Sequence, residues 1–242
     1  MIASTLKIIG SLLLLAVSSL VCAQDGETRL GFKAGLTSAD IYGPDTNQLS
    51  SGGSTSPLQG FHAGIFVNSK IRRNFWLKSE VLYVQKGSTI QIKDAWNPVY
   101  KSKFTSSVID IYPLSATFHI KGFQLLAGPY VSLLLNSSLE QKDSLGVMST
   151  NQNIFGNPIA LSKYRQKLDA GWVIGVEYEI KQGISIGARY NWGFISLFEN
   201  AAAVVKVNAP ELPQQKIYNQ SLLISIGYSL VKNQSKAKNS SR

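Results

Sequence analysis

The chain has 242 residues, with 24 Lys and Arg against 14 Asp and Glu, for a formal net charge of +10. This charge is spread through strands, loops and tail rather than gathered in one stripe, which argues against nucleic acid and for anionic lipid headgroups or surface glycans. The single cysteine, Cys22, excludes a disulfide framework and a cysteine metal site.

Residues 1–23 read as a signal peptide: Lys7 is the positive region, Ile8–Val21 the apolar run, and Val21-Cys22-Ala23 the cleavage region. A membrane anchor needs roughly 20 apolar residues, more than this run offers. A lipid-modified Cys22 would need a small residue just before it, where Val21 stands. Cleavage after Ala23 leaves Gln24 first and removes the cysteine. Every later apolar run is broken at alternate positions, so the chain can enter a membrane only as a closed barrel.

Residues 24–230 form one domain with no linker-like break. Strand one is about Arg29–Ser38, with Leu30, Phe32, Ala34 and Leu36 opposite Gly31, Lys33, Gly35 and Thr37. Ala39–Leu58 reads as a long mobile loop. Strand two, Gly60–Ser69, sets Phe61, Ala63, Ile65 and Val67 against His62, Gly64, Phe66 and Asn68. After the short turn Lys70–Asn74, strand three points Leu77, Val81 and Tyr83 outward and Lys78, Glu80 and Lys86 inward, and is expected to run on through Ile90 and Ile92 above the membrane. Asp94–Phe104 is the second long loop, and strand four follows over about Thr105–Ile120, with Tyr112, Leu114, Ala116, Phe118 and Ile120 on the outer face.

Lys121-Gly122 makes a two-residue hairpin that pairs Ile120 with Phe123 and Phe118 with Leu125, while Pro113 and Pro129 predict local bulges. Strand five carries Phe123, Leu125, Ala127, Val131, Leu133 and Leu135 outward, and Asn136–Lys167 is the longest loop.

Strands six and seven are the clearest pair. Trp172, Ile174, Val176, Tyr178 and Ile180 share one face of the first arm, and Ile184, Ile186, Ala188, Tyr190 and Trp192 one face of the second. The opposite face holds glycines, Glu177, Glu179 and Arg189. Apolar outside, charged within and aromatic at the margins is the pattern of strands in lipid. Phe198–Gln215 is a fourth long loop, Leu222–Leu230 the eighth strand, and 231–242 a basic, disordered tail.

Eight strands joined alternately by short turns and long loops predict an all-β fold, an eight-stranded antiparallel up-and-down transmembrane β-barrel. A soluble barrel of the lipocalin kind also alternates, but it would place its charges outside.

Eight stretches in chain order resemble the PorT-like outer-membrane β-barrel family of Bacteroidota: GFKAGLTSA at 31–39, GFHAGIFV at 60–67, SEVLYVQKGS at 79–88, IDIYPLSATFHI at 109–120, LLAGPYVSLLL at 125–135, DAGWVIGVEYEI at 169–180, GISIGARYNWGFISL at 183–197 and LLISIGYSL at 222–230. The resemblance implies a cell outer-membrane location and, for one branch, a link to protein secretion. The last strand departs from such barrels by ending Tyr228-Ser229-Leu230 rather than on an aromatic residue.

An eight-stranded barrel has a lumen that side chains fill. Lys33, Lys78, Glu80, Lys86, Glu177, Glu179 and Arg189 are therefore expected to form a lumen charge network, with a Glu177–Arg189 pair across the hairpin. Tyr112, Trp172, Tyr178, Tyr190, Trp192 and Tyr228 are expected in the aromatic girdle. Only His62 and His119 could act as a histidine base, and neither lies in a nucleophile motif. No metal-ligand spacing and no phosphate-cradling loop is present, so no catalytic residue and no cofactor is expected.

The expected partners are outer-membrane lipid and a protein at the loops or C-terminal tail, not nucleic acid. Three functions follow: a non-enzymatic outer-membrane barrel with binding or structural loops, an accessory of a secretion assembly, or a soluble periplasmic ligand-binding barrel.

Overall fold

The computed structural model describes residues 27–46, 54–92, 100–142, 148–151, 167–181, 183–197 and 216–230. The signal peptide at 1–23, the loop at 198–215 and the tail at 231–242 lie outside these residues. The strands, in chain order, are β1 Thr28–Tyr42, β2 Ser54–Lys70, β3 Phe75–Ile92, β4 Tyr100–Ile120, β5 Phe123–Lys142, β6 Met148–Asn151, β7 Leu168–Lys181, β8 Ile184–Gly193 and β9 Tyr218–Leu230. Eight of them close into an antiparallel barrel in which β4 pairs with β5, β5 with β7, and β9 with β1. The remaining strand, β6, adds to the far end of β5. Closure removes the free edges that lipid would leave unsatisfied.

The tight hairpins all lie at one end of the barrel, here the turn end, together with the start of β1 and the end of β9. At the β4–β5 turn, Lys121 has φ 48° and Gly122 φ 90°. Left-handed backbone at both central residues matches the right-handed twist of the flanking strands, and Ile120 pairs with Phe123 and Phe118 with Leu125. The long connections meet at the opposite, loop end. There β3, β4 and β5, of 18, 21 and 20 residues, outreach β8 with 10. About 9–11 residues cross a bilayer, so the surplus stands above it as a wall.

Three predicted loops are therefore shorter than expected: β1 continues to Tyr42, β2 starts at Ser54, β4 starts at Tyr100 and β5 runs to Lys142. Beyond the lipid the apolar alternation fades, but backbone ladder bonds continue through Ser, Thr and Lys.

Burial is inverted relative to a soluble protein. Lys33, Lys78, Glu80, Lys86, Glu177 and Arg189 are at most 5% exposed, whereas Leu36, Ile174 and Ile226 are 69%, 62% and 64% exposed. A soluble barrel requires the reverse, and the soluble ligand-binding alternative fails on this ground. Trp172, Tyr178, Tyr190, Trp192 and Tyr228 face outward.

Tyr112 does not. It is fully buried in the lumen, so its place in the girdle is corrected. Against β3, Lys78 pairs with Ser115 and Glu80 with Tyr112; against β5, Ile111 pairs with Val131 and Ala116 with Ala127. Both neighbours find one extra residue in β4, a bulge around Pro113. Below it Ser115 and Thr117 face inward; above it Asp110 and Tyr112 do.

Candidate functional site

Five lumen-facing side chains from four strands converge in the turn-side half of the barrel. β1 supplies Lys33, β3 Lys78 and Glu80, β7 Glu177 and β8 Arg189. Lys33 Nζ donates to Glu80 Oε1 at 2.9 Å and Glu177 Oε1 at 2.7 Å. Arg189 donates through Nη2 to Glu177 Oε1 at 2.9 Å and to Glu80 Oε1 at 3.1 Å, and through Nη1 to Glu80 Oε2. Lys78 Nζ donates to Glu177 Oε2 and lies 3.7 Å from Glu80.

Space for these side chains comes from glycine. Gly187 lies opposite Glu177, and a Cβ there would stand 2.4 Å from Glu177 Cγ. A Cβ on Gly31 would stand 2.3 Å from the Phe66 ring. That ring has Lys78 Nζ 4.8 Å and Lys33 Nζ 5.4 Å from its centroid, and the Arg189 guanidinium lies 5.1 Å from that of Tyr112. The cluster holds three cations against two carboxylates. The surplus positive charge is thus spread over aromatic faces, which attract cations most when water is excluded.

A second layer lies toward the loop end. Lys86 Nζ donates to Asp110 Oδ1 at 2.9 Å and sits 5.0 Å from the Tyr130 centroid. Asn191 donates to the Tyr112 hydroxyl at 2.7 Å, and that hydroxyl donates to Asp110 Oδ2 at 3.3 Å. Leu82, Val84, Val108, Leu126, Val173 and Leu223 pack around the two tyrosines as an apolar stratum. Above it Ile41, Ile90, Leu197 and Ile217 cluster at the mouth, where the Tyr42 hydroxyl donates to the Gly193 carbonyl at 2.6 Å.

At the turn end a small recess of about 10 Å³ is lined by Arg29, Asn68, Lys78, Gln124, Glu177 and Glu179. Asn68 Oδ1 and Gln124 Oε1 have no protein partner among the described residues, and this recess gives water a route to them.

The expected lumen residues divide three ways. Lys33, Lys78, Glu80, Glu177 and Arg189 form the central cluster; Lys86 joins Asp110; and Glu179 accepts from Arg29 at 3.1 Å near the turn end. The sequence reading missed Asp110, Asn191 and Tyr130. A lone acid on the lipid-facing side of β4 was the signal that parity must change before Ala116.

His62 stands between Thr37 Oγ1 at 3.1 Å and Ser225 Oγ at 2.8 Å, 1% exposed. A serine beside a histidine invites comparison with a nucleophile pair, but no carboxylate hydrogen-bonds this ring, and the strata above and charges below keep substrate away. His119 stacks on Trp76 at 4.7 Å. Among the described residues no three His, Cys, Asp or Glu side chains are grouped to hold a metal ion.

The family model described as outer membrane protein beta-barrel domain matches residues 22–199, the stretch from before β1 to beyond β8. The chain belongs to this family. It is an outer-membrane β-barrel protein, and β9, beyond the matched stretch, closes its barrel.

No curated protein matches the chain. Among solved structures it is similar to Ail of Yersinia pestis, with 8% identity, a TM-score of 0.41, and coverage of 84% of this chain and 99% of that one. It is also similar to Neisserial surface protein A, with 13% identity, a TM-score of 0.39, and coverage of 82% and 96%. The corresponding values for OprG of Pseudomonas aeruginosa are 10%, 0.37, and 86% and 98%.

Proposed function

We propose that this protein is a non-enzymatic outer-membrane barrel with a filled, non-conducting lumen, acting through the surfaces at its two ends. The observation that carries this reading is the stacked filling of the lumen. A buried charge cluster is followed by a layer in which apolar side chains pack around Tyr112 and Tyr130 beside the Lys86–Asp110 pair, and then by a second apolar cluster at the mouth. A hydrated ion passing through would have to break paired charges and then cross apolar packing, both costly.

On this reading residues 1–23 direct export and the chain falls in the PorT-like branch, on the resemblance of all eight stretches. Tight turns face the periplasm and long connections the outside, as in other barrels of this membrane. The loop wall of β3, β4 and β5 then offers the surface for a ligand or partner.

The test combines cell fractionation, gel migration of boiled and unboiled samples, and planar-bilayer recording. Recovery in the outer membrane with a heat-shifted band and no conductance steps is the expected result. Stable ion conductance would replace this reading with a channel.

A further inference from the structure

The densest basic run among the described residues outside the lumen is the β2–β3 turn, Lys70-Ile71-Arg72-Arg73-Asn74. Residues 71–74 are exposed, and Arg72, Arg73 and Asn74 form the polar wall of an open concavity whose apolar wall is Phe75 and Phe118. The neighbouring turn is joined to this surface: the His119 amide donates to the Asn74 carbonyl at 2.8 Å, two residues before exposed Lys121. Among the described residues, Arg72, Arg73 and Lys121 have no carboxylate partner. Arg29, at the same end, is by contrast paired with Glu27 and Glu179.

Below this cationic rim the outer wall is continuous with the lipid face. Phe118, Ile120 and Phe123 are 47%, 45% and 52% exposed. A ligand that fits must therefore carry negative charge at one end and apolar chain below it. A soluble acidic peptide satisfies the rim and leaves the wall bare; a phospholipid satisfies both.

We infer that the β2–β3 turn and Lys121 form a binding site for an anionic glycerophospholipid of the periplasmic leaflet. The phosphate sits between Arg72 and Arg73, and an acyl chain lies along Phe118. Guanidinium groups offer paired donors to phosphate oxygens. With Arg72, Arg73 and Lys121 on two joined turns and no carboxylate partner for them among the described residues, a headgroup of net negative charge is preferred over a zwitterionic one, whose ammonium adds a further cation to this rim. The inference rests on the reading that the turn end faces the periplasm, and it adds a specific ligand there.

The test is native mass spectrometry of the full mature chain released from detergent, titrated with phosphatidylglycerol or phosphatidylethanolamine. Wild type should retain one phosphatidylglycerol in preference to phosphatidylethanolamine. R72Q/R73Q should weaken that binding by about tenfold or more, given roughly the effect expected for each basic residue at an anionic surface, and R72K/R73K, which keeps the charge but not the paired donors, should fall between the two. Equal retention of the two lipids, or equal retention by wild type and R72Q/R73Q, overturns the inference. So does loss of acidic-peptide binding in R72Q/R73Q while lipid retention stays unchanged, which assigns the rim to a protein partner. Gel migration separates the two levels: a wild-type chain with no heat shift removes the barrel reading and this site together. A heat-shifted chain without lipid preference removes the site alone.

Discussion

From Asp169 to Glu179 every second residue of β7 faces the lumen, and β8 answers in the same rhythm; in β4 that rhythm breaks between Tyr112 and Ser115. Both hairpins turn tightly at the same end and both put aromatic residues in lipid. Each ladder has a minor shift near one end, at Ser107/Val108 in the first and Glu179/Lys181 in the second; within the span they differ by one residue inserted in β4 around Pro113, which reverses the side chains beyond it. The regular hairpin supplies Glu177 and Arg189 from unbroken alternation. The bulged one lets Ser115 and Thr117 face inward below and Asp110 and Tyr112 face inward above, so one strand serves two lumen layers that a regular strand could not serve together.

The comparison is tested first by removing the inserted residue. Deleting Leu114 restores a uniform period and leaves Asp110, Tyr112, Ser115 and Thr117 two apart on one face, so β4 keeps its lumen contacts, the Lys86–Asp110 pair included. The expected outcome is a heat-shifted band retained after refolding into vesicles. Loss of the band in the deletion variant would mean that β4 does not carry one extra residue against both neighbours.

Within the regular hairpin the charge surplus predicts an order. Glu177→Gln leaves three cations facing one carboxylate and should destabilise by about 3–5 kcal/mol, as breaking buried pairs does. Arg189→Met leaves Lys33 and Lys78 facing Glu80 and Glu177, a balanced set, and should lose less. Urea titration in vesicles, followed by tryptophan fluorescence, ranks the two; the opposite ranking would count against a net positive cluster. On the lipid side of the same strand, Val176→Lys should lose about 2–4 kcal/mol if this face lies near the bilayer midplane. Unchanged stability would move Val176 out of the hydrocarbon.

Legibility in the sequence follows the same division. Strand order, closure and the Ile120–Phe123 and Glu177–Gly187 registers follow from period-two reading and turn length. So do the inward directions of Lys33, Lys78, Glu80, Glu177 and Arg189, because each lies on a strand segment without an insertion. Tyr112 was misplaced and Asp110 overlooked because parity cannot be carried through a bulge whose position is unknown. Pro113 marked the disturbance without saying which side of it changed face. The extension of β3 through Ile90 and Ile92 was legible; those of β1, β2, β4 and β5 were invisible for another reason. Backbone pairing continues there with little side-chain pattern, and hydropathy reports only the part that meets hydrocarbon.

The smallest effect is the sharpest probe of which way a tyrosine points. The Tyr112 hydroxyl sits in a dry layer between two partners, accepting from Asn191 at 2.7 Å and donating to Asp110 at 3.3 Å. Tyr112→Phe removes both bonds, fills almost the same volume, and leaves the Asn191 amide with only a long contact to Asp110 at 3.4 Å. A buried group left short of partners costs about 1–3 kcal/mol. Tyr228 lies on the outer face, its ring 5.7 Å from Phe32 and 40% exposed. Tyr228→Phe keeps that ring contact, so its effect should stay within about 0.5 kcal/mol, as for other surface changes. The two substitutions delete the same atom, so the difference between their unfolding midpoints in vesicles isolates the environment of the hydroxyl. Equal midpoints would return Tyr112 to the lipid face and remove the bulge from β4.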